Sequence, residues 1–156
     1  MTQLLDAIYR RVGRYAGHGI QGDDTPFHGE LEVAPLLKGN PAMSLMFSAT
    51  GIDGTPLHEE RTWVSTDASG ELCLWSITTD GSQVTRHACK SVSQPPESEA
   101  RAVFVHVGSD GFTVLSRVTI DLMRDGRWGY AREQRSHDGL LAMHFQVAMA
   151  ISAPNA

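Results

Sequence analysis

The sequence predicts an all-β protein, an antiparallel up-and-down barrel of about ten strands with one short N-terminal helix, and three observations carry that reading. Asp-Gly occurs five times, at Asp53-Gly54, Asp80-Gly81, Asp110-Gly111, Asp125-Gly126 and Asp138-Gly139. This dipeptide favours tight hairpin turns, which need φ > 0. Most of the runs between these turns alternate apolar and polar side chains, the period of a strand with one buried face. Consecutive hairpin-linked strands in an open sheet would leave long unpaired edges, and closure removes those edges while enclosing an interior.

The elements follow in order. Residues 2–12 read as an amphipathic helix, with Leu4, Leu5, Ile8 and Val12 at helical spacing and Gly13 as the stop. Strands are expected near 14–20, 28–36, 43–51, 56–65, 71–79, 82–90, 101–109, 112–123, 127–135 and 141–151. Gly22-Asp23-Asp24-Thr25-Pro26 and Lys38-Gly39-Asn40-Pro41 supply further turns, and Ser93-Gln94-Pro95-Pro96-Glu97-Ser98 is a longer loop hostile to helix. The helix is expected to lie across one end of the barrel.

A chain of 156 residues, 41% hydrophobic and 20% charged, fits a single β-barrel domain over 1–156. Its apolar runs fall far short of the ~18 residues that a membrane-spanning helix needs. The opening MTQLLDAIYRR carries Asp6 and two arginines where a signal peptide requires an unbroken apolar stretch, so a cytoplasmic location is the expectation. Thirteen basic against eighteen acidic residues give a net charge of −5, and no basic cluster marks a phosphate-backbone partner, which points away from nucleic acid and membrane. Cys73 and Cys89 lack paired spacing and read as buried thiols.

Several motifs fail on context. Gly17-His18-Gly19-Ile20-Gln21-Gly22 spells G-x-G-x-x-G, but a dinucleotide site needs a strand before it and a helix after it. His58-Glu59-Glu60 has Thr62 where the zincin pattern needs its second histidine, and G-x-S-x-G does not occur. The spacing of His87, Cys89 and His106 admits a metal site. Two-residue turns argue against it, placing Val103, Val105 and Val107 on the buried face of their strand with His106 outward, and His87 and Cys89 on the other face from Cys73 and Trp75.

The last hairpins are more informative. A two-residue turn at Asp125-Gly126 sets Val118 opposite Glu133, Ile120 opposite Ala131 and Leu122 opposite Gly129, which turns Glu133 inward. The same turn at Asp138-Gly139 sets Glu133 opposite His144, in a column whose other members, Gly129, Ala131, Ala142 and Ala148, are small enough to leave a cavity. A buried histidine beside a carboxylate is also a common structural pair. About Asp53-Gly54 the register sets His58 opposite Ala49, Glu60 opposite Phe47 and Thr62 opposite Leu45, so polar groups line part of the barrel.

Gly13-Arg14-Tyr15-Ala16-Gly17-His18-Gly19, following a short helix, resembles the G-x-W-x-G-x-G opening of the nitrobindins, haem-binding barrels of the calycin group, with Tyr15 in place of Trp. Arg61-Thr62-Trp63 and His144-Phe145-Gln146-Val147-Ala148-Met149 are similar to other stretches of that family. No counterpart of the family's aromatic, proline-rich segment follows the opening. The resemblance implies haem b with His144 as its axial ligand, reversible nitric oxide binding at ferric haem, and isomerisation of peroxynitrite to nitrate. Glu133 would then orient the imidazole, with Ala131 and Ala148 beside the ring.

Two other readings stay open. A haem-free, lipocalin-like carrier would take a small apolar molecule, with His58, Glu60 and Arg86 at its polar end. An acid–base enzyme without metal would use Glu133 and His144. If His144 faces inward, Met143, Phe145, Val147 and Met149 face outward beside Trp128 and Tyr130, an apolar patch that predicts a homodimer through the last two strands.

Overall fold

The computed structural model describes residues 3–152. One helix, α1 (Gln3–Tyr9), precedes ten strands: β1 (Gly13–Gln21), β2 (Pro26–Pro35), β3 (Met43–Gly51), β4 (Pro56–Thr66), β5 (Leu72–Thr78), β6 (Thr85–Ser93), β7 (Ser98–Val107), β8 (Val114–Met123), β9 (Trp128–Arg135) and β10 (Leu141–Ile151). Every strand pairs antiparallel with its chain neighbours and β1 closes on β10, so the barrel has no free edge. The expected fold class is therefore the observed one. Among the described residues no helix is long and apolar enough to cross a membrane.

The Asp-Gly turns fix the registers, and several hold one residue more than the two expected. At Asp125-Gly126 the Met123 N–H donates to the Arg127 carbonyl and the Gly126 N–H to the Met123 carbonyl, leaving three residues in the loop. Gly126 supplies the left-handed position at φ 93°, and the Asp125 carboxylate accepts the Arg127 N–H at 3.0 Å. The added residue shifts the β8–β9 pairing, so Leu122 meets Trp128, Ile120 meets Tyr130 and Val118 meets Arg132. A slip of one residue exchanges the two faces of a strand. Trp128, Tyr130 and Arg132 point inward, while Gly129, Ala131 and Glu133 lie on the outside, opposite to expectation.

Asp138-Gly139 forms the same three-residue loop, with the Ser136 N–H donating to the Leu140 carbonyl. Met143 accordingly pairs with Glu133, but a bulge at His144 then shifts the ladder, so that Phe145 meets Arg132 and Met149 meets Trp128. Phe145, Val147 and Met149 are buried with Trp128 and Tyr130, and only Met143 of the expected outer patch is even half-exposed. The apolar surface that argued for a homodimer is barrel core.

Elsewhere bulges decide the outcome. A bulge at Ala49/Thr50 restores the expected β3–β4 register, and His58, Glu60 and Thr62 do meet Ala49, Phe47 and Leu45. Another at His106/Val107 puts Ala102 and Phe104, not Val103 and Val105, in the core. On β5 and β6, Cys73 shares a face with Ala88 as expected, but the inner face is the other one, where Leu74 meets His87.

The glycines of the G-x-G-x-x-G stretch have a packing role. A Cβ on Gly17 would stand 2.2 Å from the Ala148 carbonyl oxygen, one on Gly19 2.4 Å from that of Gln146, and one on Gly22 2.1 Å from that of Met143. Only glycine lets β1 approach β10 this closely.

The barrel's two ends differ. Helix α1, shorter than the expected 2–12, plugs one end with Leu4, Leu5, Ala7 and Ile8, all buried. Burying each of the larger side chains stabilises by roughly 1.5–3 kcal/mol. Arg11 fastens the helix, donating to Glu99 at 3.0 Å and to the Met123 carbonyl at 2.7 Å. The opposite end, the mouth, is bordered by the loops 22–25, 52–55, 79–84, 108–113 and 136–140.

Candidate mouth site

Inward-facing positions turn polar as the strands approach the mouth. Along β4 the buried series runs Val64, Thr62, Glu60, His58, and along β9 it runs Trp128, Tyr130, Arg132. These strands alternate with period two, so each polar residue occupies a position that is apolar nearer the helix.

Glu60 is the hub. Its Oε1 accepts from Arg132 Nε at 2.6 Å and from His58 Nε2 at 2.8 Å, and its Oε2 accepts from the Tyr130 hydroxyl at 2.5 Å. Burial alone would raise the Glu60 pKa, but the bonds from His58, Arg132 and Tyr130 outweigh it and hold the carboxyl down to about 2. Tyr130 moves the other way: burial, then the Glu60 charge, push its phenol upward and keep it a donor. Arg132 also reaches Ser76 Oγ at 3.3 Å. The buried charges are thus paired and hydrogen-bonded, as low-dielectric surroundings require.

Above this network lie His58 Nδ1, Asp80 and His144. His58 Nδ1 stands 3.4 Å and His144 Nε2 3.6 Å from Asp80 Oδ2, and the two imidazoles meet edge to face at 5.4 Å between centroids. His58 is buried, His144 half-buried and Asp80 exposed. In regular alternation with the inward Phe145, His144 would point out of the barrel. The bulge re-aims it across the mouth, and the Gly22 N–H holds the bulge through the His144 carbonyl at 3.0 Å. Burial, then the nearby His58 charge, depress the His144 pKa, which favours the neutral, coordinating imidazole.

A second polar group faces the interior nearby. His87 is fully buried and shares a 2.6 Å hydrogen bond with Ser116 through Nε2, while its Nδ1 has no partner. Burial, reinforced by the Arg132 charge, lowers its pKa to about 3, so the ring is neutral. Cys89 bonds the Ser91 carbonyl, and no metal set forms from His87, Cys89 and His106.

The expected site residues separate. His144, His58 and Glu60 come together at the mouth. Glu133 does not join them: on the outside it makes an ion pair with Arg117 at 2.9 Å. Ala131 and Ala148 line an outer groove of about 660 Å³ across β1, β10, β9 and β8. Arg86 is also outside, held by Asp67 at 2.9 Å and Glu71 at 3.2 Å. Sequence reasoning missed Asp80, Arg132 and Tyr130. Asp80 lies inside an Asp-Gly turn signal, and a two-residue turn at Asp125-Gly126 predicts the outer face for the other two, which the third loop residue reverses.

The donor set does not fit haem on His144. Haem iron takes only axial ligands from the protein, whereas here the Asp80 carboxylate faces His144 Nε2 where iron would stand. The space beneath is filled by Phe145, stacked on Phe47 at 5.1 Å and beside Tyr130 at 5.8 Å.

Neither a protein-family model nor a curated protein matches the sequence. A solved structure does match the fold: the crystal structure of Rv2717c from M. tuberculosis superposes with a TM-score of 0.72 at 15% identity, covering 98% of this chain and 99% of that one. The likeness is one of fold, a closed antiparallel barrel shared along nearly the whole length of both chains.

Proposed function

We propose that this chain is a small-ligand-binding barrel that takes a polar ligand or ion at its mouth, over His58, Asp80 and His144. The observation that carries this reading is the bulge at His144, which turns an imidazole from the outer face toward two other coordinating groups. Bulges that re-aim side chains concentrate beside binding sites. The buried Glu60, Arg132 and Tyr130 supply rigid support, and a barrel that only needed stability would fill those positions with apolar side chains. An apolar carrier function fits less well, because the inward positions below the mouth are occupied by Phe47, Phe145, Tyr130 and Trp128.

Amide NMR of the labelled chain tests it, with imidazole, acetate, inorganic phosphate and benzoate as separate probes. Saturable shifts should cluster at His58, Thr79, Asp80, His144 and Phe145. Shifts confined to the outer groove at Gly129, Ala131 and Ala148, or none with any probe, would overturn the reading. Haemin is the further arm: a shifted Soret band abolished by His144→Ala would replace the proposed ligand class with haem.

A further inference from the structure

We propose that the mouth binds a divalent transition-metal ion of the zinc or ferrous type, with His58 Nδ1, Asp80 Oδ2 and His144 Nε2 as its three protein ligands and one side open to an exogenous ligand. This deepens the mouth-binding reading and rests on it. The three donor atoms lie within 4.8 Å of one another, and the two separations from Asp80 are 3.4 Å and 3.6 Å. Metal–ligand bonds of about 2.0–2.2 Å in a tetrahedron put donors roughly 3.3–3.6 Å apart, which both separations from Asp80 match. Two imidazoles and one carboxylate suit zinc or ferrous iron, and three protein ligands leave a position for water or substrate.

The hydrogen bonding of His58 supplies the independent support. Its Nε2 faces the Glu60 carboxylate at 2.8 Å and donates there, which turns Nδ1, 3.5 Å from the Thr79 hydroxyl, toward the mouth. His58 Nδ1 also faces a second carboxylate, Asp80, across 3.4 Å. His144 Nε2 approaches the same Asp80 oxygen at 3.6 Å, so two ring nitrogens and one carboxylate oxygen converge on one point of the mouth. Histidine ligands characteristically donate their other N–H to a carboxylate, which fixes tautomer and ring orientation. Glu60 holds that role for His58, and is itself held by Arg132 and Tyr130. Among the described residues the other convergent group, Asp67, Glu71 and Cys73, lacks this arrangement because Arg86 already supplies the positive charge to Asp67 and Glu71.

The test is titration of the full chain, free of any affinity tag and stripped with chelator, with zinc by calorimetry and with cobalt by visible absorption. One ion should bind per chain with micromolar or tighter affinity, and cobalt should give the intense visible bands of a four-coordinate site. Asp80→Asn and His144→Ala alter groups exposed enough to leave folding intact, and each should weaken binding at least 100-fold. Glu60→Gln should weaken it about 10–100-fold. Weak or superstoichiometric binding, or binding unchanged in both Asp80→Asn and His144→Ala, overturns the metal site. If the metal-free NMR probes still map to the mouth in that case, the ligand-binding reading stands and the metal alone is withdrawn.

Discussion

The helix-plugged end and the mouth of this barrel are built on the same strands with opposite chemistry. At the plug, Leu4, Leu5 and Ile8 seal an interior of Trp128, Met43, Leu45 and Leu122, and the polar contacts of Arg11 stay at the periphery. At the mouth, the same strands carry Glu60, Arg132, His58 and His87 into buried positions. Stability explains the first end, since apolar burial is favourable wherever it occurs. It does not explain the second, where each charge costs desolvation that its partner must offset.

The largest expected effect breaks the mouth. Arg132→Met leaves Glu60 buried without its cation and should cost about 3–5 kcal/mol in chemical denaturation. The double variant Glu60→Leu/Arg132→Met should recover much of that loss, since it removes both charges. At the plug, Ile8→Ala should cost about 2–4 kcal/mol through a simple cavity, with mouth binding unchanged. Loss of mouth binding in Ile8→Ala would mean that the two ends are not independent.

Acid should act through the mouth. The unfolded chain takes up protons on His87 near 6.5 and on Glu60 near 4.5, while the native chain resists until about 3 and about 2. The unfolded state therefore binds more protons in these windows, and stability falls as pH drops. The contribution should be complete above about pH 6.5, decline first through His87, and decline further through Glu60. Urea midpoints measured across this range check the sign, and His87→Phe should flatten the upper part of the profile.

Smaller effects sharpen the role of the bulge. Gly22→Ala places a Cβ against the Met143 carbonyl, so it should displace His144 and lower zinc affinity about 10-fold, for about 1–2 kcal/mol of stability. Glu133→Ala, on the outer face, should change stability by about 0.5 kcal/mol or less and leave zinc binding untouched. Calorimetric titration of both variants separates a positioning effect from general destabilisation.

These contrasts also explain what could be read from the sequence. Alternation and Asp-Gly turns were enough for the strand order and the barrel, because each signal is local. The inward set of β4, His58 and Glu60, was legible because the bulge at Ala49/Thr50 cancels the extra loop residue after it. On β9 no bulge intervenes, and one residue in the Asp125-Gly126 loop moved Arg132 and Tyr130 inside and Glu133 out. The inward position expected of His144 rests on a pairing with Glu133 that does not occur, since Glu133 meets Met143 and the bulge turns His144 toward the mouth. Asp80 was hidden because its importance comes from long-range closure of the barrel, which no local pattern records.

The most direct measurement is nitrogen NMR of the imidazoles in the histidine-labelled chain as one equivalent of zinc is added. Of the seven histidines, His58 and His144 alone should respond, with His58 Nδ1 and His144 Nε2 shifting as metal-bound nitrogens and His58 Nε2 keeping its proton. Unmoved His58 and His144 resonances, or a response led by His18, His28, His87, His106 or His137, would contradict the mouth as the metal-binding end.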